Sequence, residues 1–262
     1  MPQPNNEGTE PGSTPPQPTL ERALELVRFL RENCPWDAAQ TPESLVPYLL
    51  EEAHETADAI AEHDEALLQS ELGDLLLNLA FQIVLAEERE AFTAEDVVAT
   101  LEAKMRRRHP HLYGDGPAVP WEELKARERA PEASVLDGLA KALDPLSRAQ
   151  RIQERVSAVG FDWNDHLGAL DKVTEEVAEV REAIESGTAD HVEEELGDLL
   201  FSVVNLARLA GAHGATALSR ANRKFTARFQ ALEELAKQRG IVLGQATLAE
   251  LDQLWDEIKR SE

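Results

Sequence analysis

Leu50-Glu51-Glu52-Ala53-His54-Glu55, followed after a short gap by Glu71-Leu72-Gly73-Asp74-Leu75-Leu76, is the stretch from which the fold of this chain is read. Helical spacing puts Glu52 and Glu55 on one face, and Glu71 and Asp74 likewise on a following helix. Four like charges in the same inward register repel one another unless something positive sits between them. The arrangement recurs as Glu175-Glu176-Val177-Ala178-Glu179 and then Glu195-Leu196-Gly197-Asp198-Leu199-Leu200. Positions 51, 52, 55, 71 and 74 map onto 175, 176, 179, 195 and 198 by one displacement of 124.

That displacement divides a chain of 262 residues into two domains of ordinary size. Residues 1–18 are polar and Pro-rich, too poor in apolar side chains to repay ordering, and are expected to form a disordered tail. The first domain is expected over 19–130, a linker over 131–145 (Pro131 to Pro145, containing Gly138), and the second domain over 146–262. Helix signals recur throughout. Thr19 is expected to cap a helix from Leu20 to Arg31 with Leu20, Leu24, Val27 and Leu30 on one stripe. Thr41-Pro42 is expected to open the next, carrying Leu45, Leu49 and Ala53 inward to a stop near His63. Further helices are read over 65–88, from Thr93 to Arg108, from Trp121, over 146–158, through the second acidic cluster, and over 190–210, 216–238 and 248–260. No stretch alternates with period two, so the fold class is all-α, two tandem helical bundles.

The net charge of −24 repels nucleic acids and anionic membranes, so neither is an expected partner. Cys34 is the only cysteine, which excludes an intrachain disulfide and fits a reducing compartment. With no leader-like N-terminus and no run of roughly 20 apolar residues, the expected location is the cytoplasm.

A solvated acidic face accounts for most acids in such a chain, but not for the two quartets. Each Glu-x-x-Asp pair opens a long apolar helix, and Gly73 and Gly197 intervene at matching positions. Gly inside a helix costs about 1 kcal/mol relative to Ala, which suggests a close approach by another backbone or a ligand. Acids that complement a helix N-terminus explain Glu65 or Asp190, whereas the quartets lie further in. Paired i, i+3 carboxylates on neighbouring helices make an all-oxygen cage suited to Mg²⁺, with Mn²⁺ as the alternative. The Glu-x-x-His spacing of di-iron bundles occurs at Glu51–His54, but its counterpart is Ala178, so His54 is read as a helix-surface residue. Hard cations so held complete their shell with phosphate oxygens. Lys224 and Arg228, on one helical face, are candidates for the outer phosphates, and Trp255 for stacking on a base.

The pattern Glu-Glu-x-x-Glu, fifteen residues, Glu-x-x-Asp resembles the MazG nucleoside triphosphate pyrophosphohydrolases. Cys34-Pro35-Trp36-Asp37, Arg107-Arg108-His109-Pro110-His111, Gly160-Phe161-Asp162-Trp163 and Asn222-Arg223-Lys224-Phe225 look like the tandem two-domain bacterial form. The resemblance implies a Mg²⁺-dependent homodimeric enzyme of helical bundles. It implies conversion of NTPs and dNTPs, with little base selectivity, to monophosphate and pyrophosphate. Carried onto this chain, it makes Glu176, Glu179, Glu195 and Asp198 metal ligands, with Lys172, Glu176, Lys224, Arg228 and Trp255 contacting the nucleotide. Glu175 is the candidate for orienting a water that attacks the α-phosphorus. Glu52, Glu55, Glu71 and Asp74 form a candidate second site. In similar tandem members the C-terminal half is the catalytic one. The rival readings are a non-catalytic helical scaffold that binds nucleotide or a toxin–antitoxin partner, and a narrower enzyme for dUTP or damaged nucleotides within nucleotide-pool sanitation.

Overall fold

The computed structural model describes residues 20–119, 124 and 133–261. The N-terminal tail over 1–18, Thr19 as a cap, and all but Leu124 of the helix opening at Trp121 lie outside them. The described residues form helices and connections, with no strand among them. The chain divides into two compact units, residues 1–118 and 119–262.

The first unit contains α1 (Glu21–Asn33), α2 (Pro35–Ala38), α3 (Val46–Glu62), α4 (Glu65–Glu88), α5 (Ala94–Arg108) and α6 (Pro110–Tyr113). Val27, Leu45, Ala80, Phe81, Val84 and Leu85 make its core, with Ala23, Leu24 and Leu77 packed against them. Asp64 caps α4 by accepting from the Ala66 and Leu67 amides at 3.0 Å. A capping box between Thr93 and Asp96 opens α5, as the Phe92-Thr93-Ala94-Glu95 signal implies.

Three local expectations change. Leu20 stays exposed rather than joining the stripe of α1. Thr41 and Ser44 close a reciprocal turn, each hydroxyl accepting the other's amide, so α3 begins only at Val46 with Pro47 in its first turn. Ala53 is exposed, and Thr56 and Ala59 are the buried positions of α3. Successive steps of four drift about 40° each on a helix of 3.6 residues per turn. After Leu49 the inward line therefore passes through Glu52, not Ala53, and this half-buries the carboxylate.

The second unit contains α7 (Pro145–Ser157), α8 (His166–Ser186), α9 (Ala189–Leu209), α10 (Gly214–Gln238) and α11 (Leu248–Ser261). Asp144, Asp165 and Thr188 cap α7, α8 and α9. Helices α8 and α9 pack along one another as α3 and α4 do, and α7 lies against α9. Leu232, Ala236, Leu254 and Ile258 form a core between α10 and α11, with Trp255 packed against it. Arg155 donates to the carbonyls of Val135 and Asp137, tying that stretch to α7.

Candidate active site

Among the carboxylates of the two quartets, Glu176 alone is buried, at 4% exposure. It lies two helical turns from each of Ala169 and Ala183, the other buried positions of α8. Its Oε1 accepts from Lys172 Nζ at 2.7 Å, and the same ammonium reaches Glu175 Oε1 at 2.7 Å. Its Oε2 is buried without a hydrogen-bond partner. One oxygen each of Glu176, Glu179 and Glu195 lie within 4.8 Å of one another. Asp198 stands outside that trio, but lines the same cavity of about 370 Å³ with Lys172, Glu176, Phe201, Ser202 and Asn205. His191 Nε2 lies 3.1 Å from Glu195 Oε1.

The electrostatics follow from this crowding. Burial raises the Glu179 carboxyl above its ordinary value, the Glu176 charge adds to it, and Lys172 opposes. Lys172 is itself driven well above an ordinary lysine, first by its hydrogen bond to Glu175 and then by that to Glu176.

The first quartet repeats the trio without the cation. Glu52, Glu55 and Glu71 bring one oxygen each within 4.8 Å, with Asp74 outside. Burial raises Glu52, and the charges of Asp74, Glu55, Glu71 and Glu51 raise it further. Glu71 is raised by burial, by Glu55 and Asp74, and by a hydrogen bond with Glu55. The position 124 residues before Lys172 is Tyr48, whose ring stands edge-on to Trp36 at 6.2 Å. His54 is exposed on α3, as its missing counterpart implies. Gly73 and Gly197 are exposed, and a methyl group added at either would meet nothing within 4 Å, so the chain's own fold supplies no close approach there.

The other sequence-read residues lie elsewhere in the second unit. Lys224 is exposed and Arg228 half-buried on α10. Trp255, on α11, meets the Phe225 ring at 5.2 Å. None of the three lines the cavity beside Glu176.

The MazG nucleotide pyrophosphohydrolase domain model matches this chain twice, over residues 40–113 and 164–232, each match containing one complete quartet. The chain belongs to the MazG family. It is 44% identical over 246 residues to the nucleoside triphosphate pyrophosphohydrolase/pyrophosphatase MazG of Thermotoga maritima, covering 92% of this chain and 95% of that protein. It is 40% identical to the nucleoside triphosphate pyrophosphohydrolase of Escherichia coli K12, covering 93% of this chain and 98% of that one. The protein of that name from Mycolicibacterium smegmatis is 36% identical over 158 residues, 56% of this chain and 49% of its own length.

This MazG chain also carries site features that quartet spacing does not reveal. A second cavity, of about 440 Å³, shares Phe201 and Asn205 with the first and is lined further by Gln153, Phe161, Asp162, Trp163 and Arg208. Arg208 Nη2 donates to Asp162 Oδ1 at 2.5 Å and to Asn205 Oδ1 at 2.7 Å. Burial opposes the ionised form of Asp162, but the hydrogen bonds from Arg208, Ser157 and the Trp163 amide prevail and lower its pKa. The available signal was a mismatch within the repeat. Asn205 and Arg208 stand where α4 has Phe81 and Val84, at the same displacement of 124.

Proposed function

We propose that this MazG chain hydrolyses nucleoside triphosphates, ribo and deoxy and over a broad range of bases, to nucleoside monophosphate and pyrophosphate, with the second quartet as the working site. The observation that carries this reading is Glu176: a buried carboxylate with one oxygen on Lys172 and the other unpartnered, inside a cluster of acids at the edge of a cavity. A buried acceptor without a partner calls for a ligand. The donor set is carboxylate oxygen throughout, which suits a hard divalent cation. Glu176, Glu179, Glu195 and Asp198 would hold Mg²⁺, with Mn²⁺ as the alternative. Bound there, such an ion supplies Lewis-acid neutralisation of phosphoryl charge.

The chain's own residues do the rest. Lys172 offsets the carboxylates and faces the phosphates from the cavity wall. Lys224 and Arg228 are assigned to the outer phosphates, and Trp255 to the nucleotide. Glu175, exposed and hydrogen-bonded to Lys172, orients the water that attacks the α-phosphorus while pyrophosphate leaves. We also assign the chain a homodimeric state. Val177, Ile184, Leu196, Leu200 and Val203 leave an apolar surface exposed on α8 and α9, of the kind subunit contacts cover. The 131–145 division and a cytoplasmic location belong to the same proposal. Among the described residues no helix is long and apolar enough to cross a membrane.

Incubation of the purified protein with Mg²⁺ and a mixture of NTPs and dNTPs is expected to release pyrophosphate. Absence of release rejects the reaction in favour of a binding scaffold. In ¹⁸O-labelled water the label is expected in the monophosphate; label confined to pyrophosphate overturns attack at the α-phosphorus.

A further inference from the structure

His191 opens α9 and reaches one carboxylate of the second trio. Its Nε2 lies 3.1 Å from Glu195 Oε1, one helical turn further along. An ionised carboxylate only accepts, so Nε2 carries the hydrogen and donates it. Glu195 is the more withdrawn partner, its side chain 18% exposed against 47% for the histidine. The imidazole is seated by the turn between α8 and α9. The Thr188 hydroxyl caps α9 by accepting from the His191 amide at 3.3 Å. Gly187 abuts the ring: a Cβ there would stand 2.8 Å from His191 Nδ1 and 2.6 Å from the Ala183 carbonyl oxygen. The ring keeps this place because residue 187 has no side chain.

The same device stands on α8. Lys172 donates to Glu176 Oε1 at 2.7 Å, again from i to i+4. Each helix that carries the trio thus presents a nitrogen donor four residues before one of its carboxylates. The first unit has neither donor. At the displacement of 124, Tyr48 stands for Lys172 and Leu67 for His191, while His63 and Asp64 stand for Gly187 and Thr188. Asp64 caps α4 as Thr188 caps α9, so this turn keeps its cap and loses its donor. His63 is left-handed at φ 58°, whereas Gly187 is extended. Leu67 has no hydrogen bond to give, and Glu71 shares one with Glu55.

We propose that His191 is a positioning residue for the divalent cation, holding the Glu195 carboxylate in the orientation in which it joins Glu176 and Glu179. The inference rests on the reading of the second trio as the cation site. Three carboxylates with oxygens within 4.8 Å of one another repel, and free side chains would turn apart. A donor on one oxygen fixes the plane of the group and leaves the other oxygen for a cation. Hydrogen bonds of this kind, one step outside the ligands, tune metal affinity. Glu195 then does not have to be gathered at the moment of binding, and the ordering cost is already met by the fold. An i, i+4 pair that served only the helix would add slightly to the stability of α9 and leave cation affinity alone. The trio of the first unit, without either donor, is expected to hold a cation more weakly than the second.

Titration of the full chain with Mn²⁺ and no nucleotide, followed by electron paramagnetic resonance, reads the site directly once Glu52→Ala and Glu55→Ala silence the first trio. In that parent chain His191→Ala is expected to weaken Mn²⁺ binding by about tenfold, with helical circular dichroism retained. His191→Leu, which copies the first unit, is expected to do the same and serves where the alanine variant does not fold. His191→Gln, whose side-chain amide can donate to the same oxygen, is expected to recover most of the loss. In pyrophosphate-release assays His191→Ala should raise the Mg²⁺ concentration for half-maximal rate by about the same factor. Unchanged Mn²⁺ affinity in the folded alanine or leucine variant, or an equal loss in His191→Gln, overturns the positioning role and leaves the cation site standing. A parent chain that binds no Mn²⁺ overturns the cation reading and this role with it.

Discussion

The two carboxylate trios are built on equivalent helix pairs, α3–α4 and α8–α9, each with one oxygen per residue within 4.8 Å, yet their surroundings differ in kind. In the second unit Lys172 supplies a positive charge to Glu176, which lines a cavity that shares Phe201 and Asn205 with a second one. In the first, Tyr48 replaces the lysine and leans on Trp36, and Phe81 and Val84, in place of Asn205 and Arg208, belong to the buried core. A repeated carboxylate set is thus not a repeated environment. What distinguishes the halves is the lysine beside the trio and the polar side chains that stand where the first half has core hydrocarbon.

The largest effect expected from this difference is on activity. Glu176→Ala with Glu179→Ala should cut pyrophosphate release by about a thousandfold or more, as loss of the charges that organise a phosphoryl site does. Glu52→Ala with Glu55→Ala should leave it within about twofold. Equal losses in steady-state assays of the two double variants would erase the proposed asymmetry.

Stability should show the reverse order. Phe81→Ala removes a buried ring from a closed core and is expected to cost about 3–5 kcal/mol. Asn205→Ala, at the wall of an open cavity, should cost less than about 1 kcal/mol. Thermal unfolding of both variants checks this, and similar shifts would mean that the second cavity is as tightly packed as the first core.

A smaller effect should follow pH. Glu52 has its folded pKa raised above the ordinary 4.5, by burial first and then by neighbouring acids. A raised acid destabilises the fold once ionised, so Glu52→Gln should stabilise the metal-free protein at neutral pH. That gain should shrink as pH falls through the raised folded value and vanish below 4.5. Unfolding measured across this window would sink the idea if the gain grew toward acid.

The smallest change concerns Trp163. A methyl at Gly168 would lie 2.9 Å from Trp163 Cε3, so Gly168→Ala must displace the ring that lines the second cavity. The matching position in the first half is Ser44, whose hydroxyl closes the turn with Thr41. An indole shifted by this substitution should change tryptophan fluorescence and lower kcat/KM by about two- to fivefold, a modest overpacking effect. An unaltered emission spectrum together with unaltered kinetics would separate Trp163 from the site.

The sequence by itself determined the helical fold class, the repeat and the acidic residues of both clusters. These follow from periodicity and capping, which are local: α4 runs over Glu65–Glu88 as read, and Thr93 opens α5. The depth of each carboxylate was not local. Glu176 is buried on the stripe it shares with Ala169 and Ala183, on a helix packed along α9, and Ala53 yields its inward place to Glu52 through helical drift over two turns. Nor did spacing along one helix disclose the Gln153, Asn205 and Arg208 group, whose members come from α7 and α9 and meet only through packing. Polar side chains in those positions look like ordinary helix surface in the sequence. Only the tertiary structure decides that they face a cavity, because the direction of a side chain is set by the helix packed beside it.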